Sequence, residues 1–471
     1  MKRRGMTTLN QTLHLDGLSS LSISSVAPLF SVAAAGPAMA QAAGVDVPVA
    51  IMLIALPFLL AAWIFLSLNQ HFPHAGGSYH WARRILGVHY SNFQAWILLM
   101  AYFWSIPPII LPAAEYSLNL LGMPVTPWHN LLMGGFWVLF SGSVLLLGAR
   151  MTAWVTQIFL ALEVLAVGAM AFWGYSHWGM PVAGAEPFSW SQVNWPGVAV
   201  CMVLGATIVD GWEIDTYAAE EAMQPRSAPG WGGIFGAVAV VAYYLLIWPL
   251  LLHQLPLNAL SQSNDSLALW TSTMAPAYAP WMRLAVLAST AGSLWLTTFI
   301  LSRALFAMGR DGTMTPWLAR LNTRQVPTWA VIIPLGLSLV ISSLQLFLPS
   351  IRSLFDLLLS AAGFFLVAEF LLDGLSMLHF LTRGHARLVH GHQPLSAHHH
   401  LGLLMAALVV VLMLSSVEIL FLIYGPQYIA PGIDRVVAGL LALGVGYAAW
   451  QRWQHPHQRT FIFPVEETRI S

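Results

Sequence analysis

Two segments decide the fold: residues 22–31, which read SISSVAPLFS, and residues 205–215, which read GATIVDGWEID. Each lies within a long apolar stretch, and each contains a helix breaker. Pro28 lacks a backbone donor and clashes with the preceding turn, and Gly211 is surrounded by three carboxylates. Hydrocarbon cannot solvate free backbone groups, so broken helices occur in a membrane only where they are buried or line a cavity. We therefore predict two discontinuous helices that form a polar site within the bilayer.

The composition is typical of a membrane protein. Of the 471 residues, 58% are hydrophobic and 8% are charged, whereas an average soluble domain has about 25% charged residues. A soluble globular chain and a disordered one are both excluded. The 19 basic and 19 acidic residues balance, so no nucleic-acid partner is indicated. The single cysteine, Cys201, excludes an intrachain disulfide and any Cys-based metal site. We predict no bound metal, no cofactor and no enzymatic activity.

Twelve apolar stretches are long enough to cross a bilayer, which takes about 20 residues per helix. They lie at about 17–44, 46–69, 90–121, 128–149, 151–175, 194–219, 231–254, 281–309, 328–348, 352–381, 401–424 and 432–453. This predicts an all-α integral membrane protein with about 12 transmembrane helices. The interrupted spans are the first and the sixth, and that offset indicates two inverted repeats of five helices, at about 17–175 and 194–381. The ten-helix transport core 17–381 is then followed by two extra helices within 401–453.

The basic residues predict the orientation. If the N-terminus is cytoplasmic and the spans alternate, 16 lysine and arginine residues lie on the cytoplasmic side and 3 on the other, as the positive-inside rule expects. The cytoplasmic parts then include the N-terminus 1–16, a His-rich loop 382–400 and the C-terminal tail 454–471. We expect a multi-pass protein of the cytoplasmic (inner) membrane. The loop histidines could bind a metal, but we expect a mobile loop that gains charge at low pH.

Further motifs lie at the ends of the predicted helices. Residues 73–79 read PHAGGSY, residues 211–213 read GWE and continue to EE at 220–221 and PR at 225–226, and residues 302–312 read SRALFAMGRDG. As a set they resemble the P-x-x-G-G-x-Y, G-[FW]-[ED]…E-E-x-x-x-P-[RQ] and S-R-x-x-x-A-x-[AG]-R-D-G patterns of the amino acid–polyamine–organocation (APC) superfamily of permeases. The resemblance covers about residues 10–380 and implies a leucine-transporter-type 5+5 inverted repeat with broken helices 1 and 6.

The resemblance also implies a function. We expect a secondary active transporter that moves an amino acid or related amine by proton symport with alternating access. An exchanger of amino acid or polyamine substrate and product is an open alternative, and so, in a different class, is a transporter-like nutrient sensor. The sequence lacks the P-loop pattern G-x-x-x-x-G-K-[ST], which argues against ATP-driven transport by this chain alone.

The two breaks suit an amino acid zwitterion. Half-helix N-termini bind anionic groups and freed carbonyl groups bind cations, so we expect the carboxylate on span one and the ammonium on span six. The candidate substrate-binding residues are Ser24, Ser25, Ala27, Pro28, Asp210, Gly211, Trp212 and Glu213. Many family members have a glycine-rich break where Ser24–Pro28 stand here. Trp212 could cover the substrate or merely pack, and Glu213 could bind the ammonium or hold the helix ends.

Three more carboxyl groups inside the spans are candidates for coupling, because ionisable groups in a bilayer are costly. Glu163 lies in the middle of span five, where the resemblance places a lysine in proton-coupled relatives, and we predict that it is the coupling group. Alternatively, it is a neutral acid that hydrogen-bonds a neighbouring helix. Glu369 and Asp373 share one face of span ten and could hold a second proton, add negative potential, or contact arginines at the cytoplasmic rim.

Sodium coupling is the alternative to protons. Span eight contains several hydroxyl residues, including Ser293, and sodium-coupled relatives bind the ion between span one and span eight. Hydroxyl groups in helices more often bond their own carbonyl groups, so we expect protons rather than sodium. Glu418 in span eleven lies outside the repeat core, and for it we expect a structural role.

Overall fold

The computed structural model describes residues 8–179, 190–347, 351–384, 397–428 and 431–454, and this part of the chain is almost entirely helical. The predicted tail segments 1–7 and 455–471 and the histidine-loop residues 385–396 lie outside the described residues. The helices are α1 Leu15–Ser25, α2 Pro28–Ala43, α3 Val47–His71, α4 Gly77–Ile85, α5 Val88–Leu120, α6 Pro127–Leu146, α7 Ala149–Ser176, α8 Trp195–Val209, α9 Ile214–Tyr217, α10 Ala228–Gln254, α11 Leu257–Gln262, α12 Ser266–Met274, α13 Ala279–Arg310, α14 Thr328–Ser342, α15 Ile351–His379, α16 Ala397–Tyr428 and α17 Ile433–Gln454.

Every predicted apolar stretch falls on helix. By length and apolar composition, the described residues contain 10 helices able to cross a membrane, and the first of these is the 57-residue run Leu15–His71, which holds predicted spans one and two. The apolar part of α8, Trp195–Ala206, is shorter and belongs to predicted span six. The all-helical membrane architecture is thus confirmed, whereas the count of twelve and the repeat symmetry stay predictions.

Both predicted breaks are present. α1 ends at Ser25, Ala27 has a left-handed φ of 49°, and Pro28 is the first residue of α2. Proline is well suited to the first helical position, and it disfavours helical geometry in the residue before it. In the second break, Asp210 is extended and Gly211 has a φ of 105°, a conformation that glycine adopts without a steric cost.

Burial separates the inner helices from the outer ones. In each candidate span we compare the apolar 18-residue segment. In α13, 94% of that segment is buried inside the protein, but in α7 and α17 only 17% is buried. α13 and α15 pack on α5, α1 and α3 pack on α10, and α2 packs on α8. The two broken helices therefore lie in the interior, while α7 and α17 present most of their apolar surface outward, as expected for helices that face lipid.

The N-terminal segment is attached to the end of the second broken helix. The backbone N–H groups of Thr12 and Leu13 donate to Glu221 O at 2.8 and 3.0 Å, and Met223 N donates to Leu13 O at 2.8 Å. The short helix α4 begins at Gly77 of the 73–79 motif, and Ala75 N of that motif donates to Glu220 Oε1 at 3.0 Å. The motif segments therefore converge at the arginine-rich end of the helices.

Candidate functional site

The two helix breaks touch each other. A Cβ atom placed on Gly211 would lie 2.8 Å from the backbone carbon of Ser25, so only glycine permits this approach. Ser22 Oγ donates to Trp212 O at 2.8 Å, which satisfies a carbonyl group freed by the second break. The predicted pairing of the two interruptions is therefore a real contact in the fold.

A cavity of about 60 Å³ lies where the breaks meet, large enough for several water molecules. Its walls come from segment 25–27, the first turn of α2, α5, the Asp210–Gly211 turn, α13 and α15. Five predicted site residues line it: Ser25, Ala27, Asp210, Gly211 and Ser293. Ser25 Oγ is buried and has no hydrogen-bond partner within the described residues, so the wall contains a polar group that a ligand or water can satisfy.

A second cavity of about 480 Å³ lies at the C-terminal end of α2, around segment 40–46 and Asn194. It is the larger of the two, but none of the predicted site residues lines it. Its acidic residue Asp46 already accepts a hydrogen bond from Asn194 N at 2.8 Å. We therefore take the smaller cavity, which contains the helix breaks and their unpaired polar groups, as the candidate site.

The structure connects Glu163 to the first break. Glu163 on α7 is 1% exposed, and its carboxyl group accepts hydrogen bonds from Ser289 Oγ at 2.7 Å and from Ser24 Oγ at 3.4 Å. Ser289 Oγ in turn accepts from Phe30 N at 3.2 Å. Phe30 belongs to the first turn of α2, Ser24 to the last turn of α1, and Ser289 to α13. A single buried carboxyl group thus connects α7 with α13 and with both halves of the broken helix.

Four other hydroxyl groups of α13, those of Thr290, Ser293, Thr298 and Ser302, bond to their own helix. Thr290 Oγ1 donates to Val286 O at 2.7 Å, and Ser293 Oγ donates to Thr290 O at 3.0 Å. This is the ordinary behaviour of Ser and Thr inside a helix. The Ser289 hydroxyl group differs, because it contacts the carboxyl group of Glu163 and the backbone of α2.

Trp212 and Glu213 are not among the residues that line the cavity. The Trp212 ring is 1% exposed, stacks on Phe370 with a centroid distance of 5.5 Å, and meets Phe65 edge-on at 5.2 Å. Glu213 accepts hydrogen bonds from Gly211 N at 2.8 Å and from Tyr102 OH at 2.9 Å. These contacts favour the packing alternative for Trp212 and the helix-end alternative for Glu213.

Glu369 and Asp373 meet one hydroxyl group of the 73–79 motif. Ser78 Oγ lies 2.9 Å from Glu369 Oε1 and 2.6 Å from Asp373 Oδ2. Tyr217 OH of α9 donates to the same Glu369 oxygen at 2.6 Å. Neither acid pairs with an arginine within the described residues, so the predicted alternative of arginine contacts at the rim is not observed.

The motif arginines form ion pairs at the arginine-rich end. Arg303, which is fully buried, donates to Glu221 through Nε at 3.0 Å and through one terminal nitrogen at 2.9 Å. Arg310 donates two hydrogen bonds to Glu220, at 2.8 and 2.6 Å. Such bidentate pairs are stronger and more specific than single contacts. They join the end of α13 to the segment that follows α9.

The ionisable groups of the 73–79 loop and the α9 end respond to this pairing. Burial, reinforced by the charge of Arg310, holds the pKa of His74 well below its ordinary value. Burial opposes ionisation of Glu220, but the hydrogen bonds and charge of Arg310 outweigh it and lower the pKa of that carboxyl group. Glu220 also accepts from Ala75 N at 3.0 Å. An anionic Glu220 therefore holds the loop against α13.

A family model described as "Amino acid permease" matches residues 15–443. The chain belongs to the amino acid permease family. This confirms the resemblance drawn from the motifs, and the family and its relatives are transporters rather than enzymes.

The permease is similar to transporters from mammals and from a bacterium. It is 25% identical over 356 residues to human cationic amino acid transporter 4, a match that covers 69% of this chain and 53% of the relative. It is 23% identical over 346 residues to the branched-chain amino acid permease BcaP of Lactococcus lactis subsp. cremoris, covering 68% of this chain and 72% of that one. The chain spans about half the length of the mammalian relatives it matches.

A solved structure of the Eremococcus coleocola manganese transporter, in complex with an aromatic bis-isothiourea substituted compound, has the same overall fold. The TM-score is 0.57 with 14% identity, and the match covers 96% of the permease and 98% of the transporter. At this level of identity the likeness concerns the fold alone. In the described part of the permease, no three His, Cys, Asp or Glu residues group to hold a metal ion.

The sequence patterns did not predict several residues that the structure places in the site. Tyr102, Tyr217 and Ser289 each contact a buried acid through a hydroxyl group. Neither tyrosine was predicted, Ser289 was considered only as one of the hydroxyl residues of span eight, and Ser78 only as part of the 73–79 motif. Their partners are remote in sequence: Ser78 and Asp373 are 295 residues apart. The depth of hydroxyl residues in the predicted spans was one usable signal. A buried carboxyl group needs polar partners, so hydroxyl residues at the same depth as a buried acid were candidates.

Proposed function

We propose that this permease moves an amino acid or related amine across the cytoplasmic membrane by proton symport, with the substrate bound at the two helix breaks. The cavity there combines carbonyl groups freed at the end of α1, the Asp210 carboxyl group and the N-terminal turn of α2. Acceptors suit an ammonium group, and a helix N-terminus suits a carboxylate. The relatives are named for cationic and for branched-chain amino acids. Both kinds of amino acid contain the same α-amino and α-carboxyl groups, which supports this substrate class.

We also propose the finer architecture that the fold supports. Twelve crossings result if the broken helices α1–α2 and α8–α9 each cross once, and spans one to ten then form the two inverted repeats. Both termini would lie in the cytoplasm with the arginines, and transport would proceed by alternating access around the breaks. Reporter fusions after residues 122, 180 and 348 test the topology, because all three are expected outside the cytoplasm.

Proton coupling rests on one observation, the position of Glu163. Its carboxyl group contacts α13 and both halves of the first broken helix, so gain or loss of one proton changes the contacts across the break. A buried carboxylate without a cation is unfavourable, and no cation pairs with Glu163 within the described residues. Protonation at Glu163 would therefore stabilise the arrangement of α1, α2 and α13 described here.

The test is uptake by purified protein in liposomes, with Glu163→Gln as the variant and Glu418→Gln as the matched control. Glu418 is also a buried acid, but it lies on α16, outside the breaks. We expect Glu163→Gln to lose accumulation driven by a pH gradient while retaining counterflow exchange, which needs no gradient. Glu418→Gln should retain both. Proton-driven accumulation in Glu163→Gln would remove Glu163 as the coupling group.

The same assay separates the other functions. An exchanger would show counterflow in the wild-type protein without accumulation in a pH gradient. A nutrient sensor would bind an amino acid without saturable uptake. If a sodium gradient drives accumulation when the pH is equal on both sides, sodium rather than the proton is the coupling ion.

A further inference from the structure

A second buried acid site lies apart from the helix breaks, where α4, α9 and α15 meet. Ser78 lies in the first turn of the amphipathic helix α4, and its hydroxyl group lies between Glu369 and Asp373 of α15. All three side chains are buried, with exposures of 0%. The mechanism proposed above does not use this group, and none of the four ion pairs of the described residues reaches it.

Counting hydrogens decides the charge of this site. A serine hydroxyl group has one hydrogen to donate and can accept others. Ser78 Oγ is within 2.9 Å of an oxygen of Glu369 and within 2.6 Å of an oxygen of Asp373. One hydrogen cannot serve both contacts, and two carboxylates would leave one short contact without any hydrogen. At least one of the two acids must therefore supply a proton of its own.

The neighbouring hydroxyl group of Tyr217 indicates which acid holds that proton. Tyr217 OH donates to Glu369 Oε1 at 2.6 Å, and Ser78 Oγ approaches the same oxygen. An oxygen that receives two donors suits a carboxylate. Within the described residues Asp373 has no donor other than Ser78, and the second oxygen of each acid, Glu369 Oε2 and Asp373 Oδ1, has no partner. The arrangement that gives both hydroxyl hydrogens to a single carboxylate is Asp373 donating to Ser78, with Ser78 and Tyr217 both donating to Glu369.

We infer that Asp373 is a second proton-binding site, and that its proton ties α4 to α15 at the arginine-rich end of the protein. Loss of the proton would leave two anions on one hydroxyl group, which breaks the tie. Gly77, next to Ser78, is packed so closely on Tyr217 that a Cβ atom would lie 2.7 Å from the ring. The loop 73–79 is thereby packed against the tyrosine that donates to Glu369.

The surrounding groups support the assignment. Facing Asp373 are the acid Glu369 of α15, the acid Glu213 after the second break, and the hydroxyl groups of Tyr90 on α5 and Tyr217 on α9. No arginine, lysine or histidine bonds to Asp373 from the described parts of the helices packed on α15. Two acids and no cation around the group favour a retained proton.

Infrared spectroscopy of the purified protein tests the proton directly and needs no substrate. We expect the carbonyl band of a protonated carboxylic acid that is lost in Asp373→Asn, is kept in Glu369→Gln, and shifts in frequency in Ser78→Ala. Glu418→Gln is the control: its acid has no hydrogen-bond partner within the described residues, so the band that it removes should not respond to Ser78→Ala. An unchanged band in Asp373→Asn, or its loss in Glu369→Gln alone, would overturn the assignment.

The tie itself is tested by spin-label distances between cysteines at Arg84 and Thr382, in a Cys201→Ser background. In the wild-type protein the ratio of separated to close populations should rise with pH, by up to about tenfold per pH unit for one proton released. Asp373→Asn, whose amide can still donate to Ser78, should stay in the close population. Equal pH responses in the two proteins would overturn the tie, and Glu418→Gln should respond like the wild type.

Neither the proton on Asp373 nor the tie between α4 and α15 rests on the proposed function. If liposomes show no amino acid uptake while the infrared band and the spin-label response behave as expected, the proposed function fails and the proton site stands. If uptake is proton-driven but Asp373→Asn keeps the wild-type band, this inference fails and the proposed function stands.

Discussion

Removing the acid of the buried Arg303–Glu221 pair should destabilise the permease more than removing the acid of a partly exposed ion pair. Glu221→Gln would leave the guanidinium group of Arg303 fully buried. No other acid of the described residues forms an ion pair with it. The pair now has two hydrogen bonds, at 3.0 and 2.9 Å, and Arg303 also stacks over Phe299 at 3.6 Å. Breaking a buried pair from one side costs about 3–5 kcal/mol. Because arginine stays protonated at all relevant pH values, this cost should not change between pH 8 and about pH 6.

The reverse variant should behave differently. Arg303→Met leaves a carboxyl group, which can escape its isolation by taking up a proton. The cost is then limited to about 4 kcal/mol at neutral pH and shrinks by about 1.4 kcal/mol for each pH unit of acidification. The double variant Glu221→Gln/Arg303→Met contains no buried charge, so its loss should be smaller than the sum of the single losses, because neutral replacements of buried pairs are often tolerated.

The measurement is the free energy of unfolding by denaturant in mixed micelles at two pH values. Asp311→Asn is the matched control, since Asp311 lies 3.9 Å from Arg83 and its side chain is 21% exposed, and such exposed pairs contribute about 1 kcal/mol or less. The reasoning would be refuted if Glu221→Gln stayed within about 1 kcal/mol of the wild type. It would also be refuted if both single variants showed the same pH dependence.

Two further predictions concern the 73–79 motif and α4. Gly77→Ala should destabilise the fold by about 2–4 kcal/mol, because the φ of Gly77 is positive and the added methyl group would clash with Tyr217. Gly312 also has a positive φ but open surroundings, so Gly312→Ala should cost only about 1–2 kcal/mol. Equal losses of unfolding free energy in denaturant would contradict the clash. Burial, then His74 and the nearby arginines, lowers the pKa of His80 well below its ordinary value, so the unfolded chain binds more protons and stability falls as pH drops below about 6.5. His80→Phe should reduce that slope by up to about 1.4 kcal/mol per pH unit, and an unchanged slope would argue against a neutral buried His80.

The sequence predicted the backbone of the site better than its side chains. Pro28 and Gly211 indicated the two breaks, because their backbone preferences are local. The ring of Trp212, next to Gly211, packs on Phe370 instead of covering the cavity, and nothing near it in sequence carries that information. The depth of Glu163 in its span was readable from the hydropathy pattern, but its contact with Ser24 joins residues 139 apart.

The amino-acid sequence by itself determined that the chain is a helical membrane protein with two interrupted helices and a cluster of family motifs. These are consequences of apolar length, helix breakers and charge asymmetry, each of which acts over a few turns of helix. Only the tertiary structure decided which acid meets which hydroxyl group. Buried carboxyl groups in helices cannot be solvated locally, so their partners come from whichever helices pack against them. Glu163 thus meets the first break, and Asp373 meets Ser78 of the loop motif.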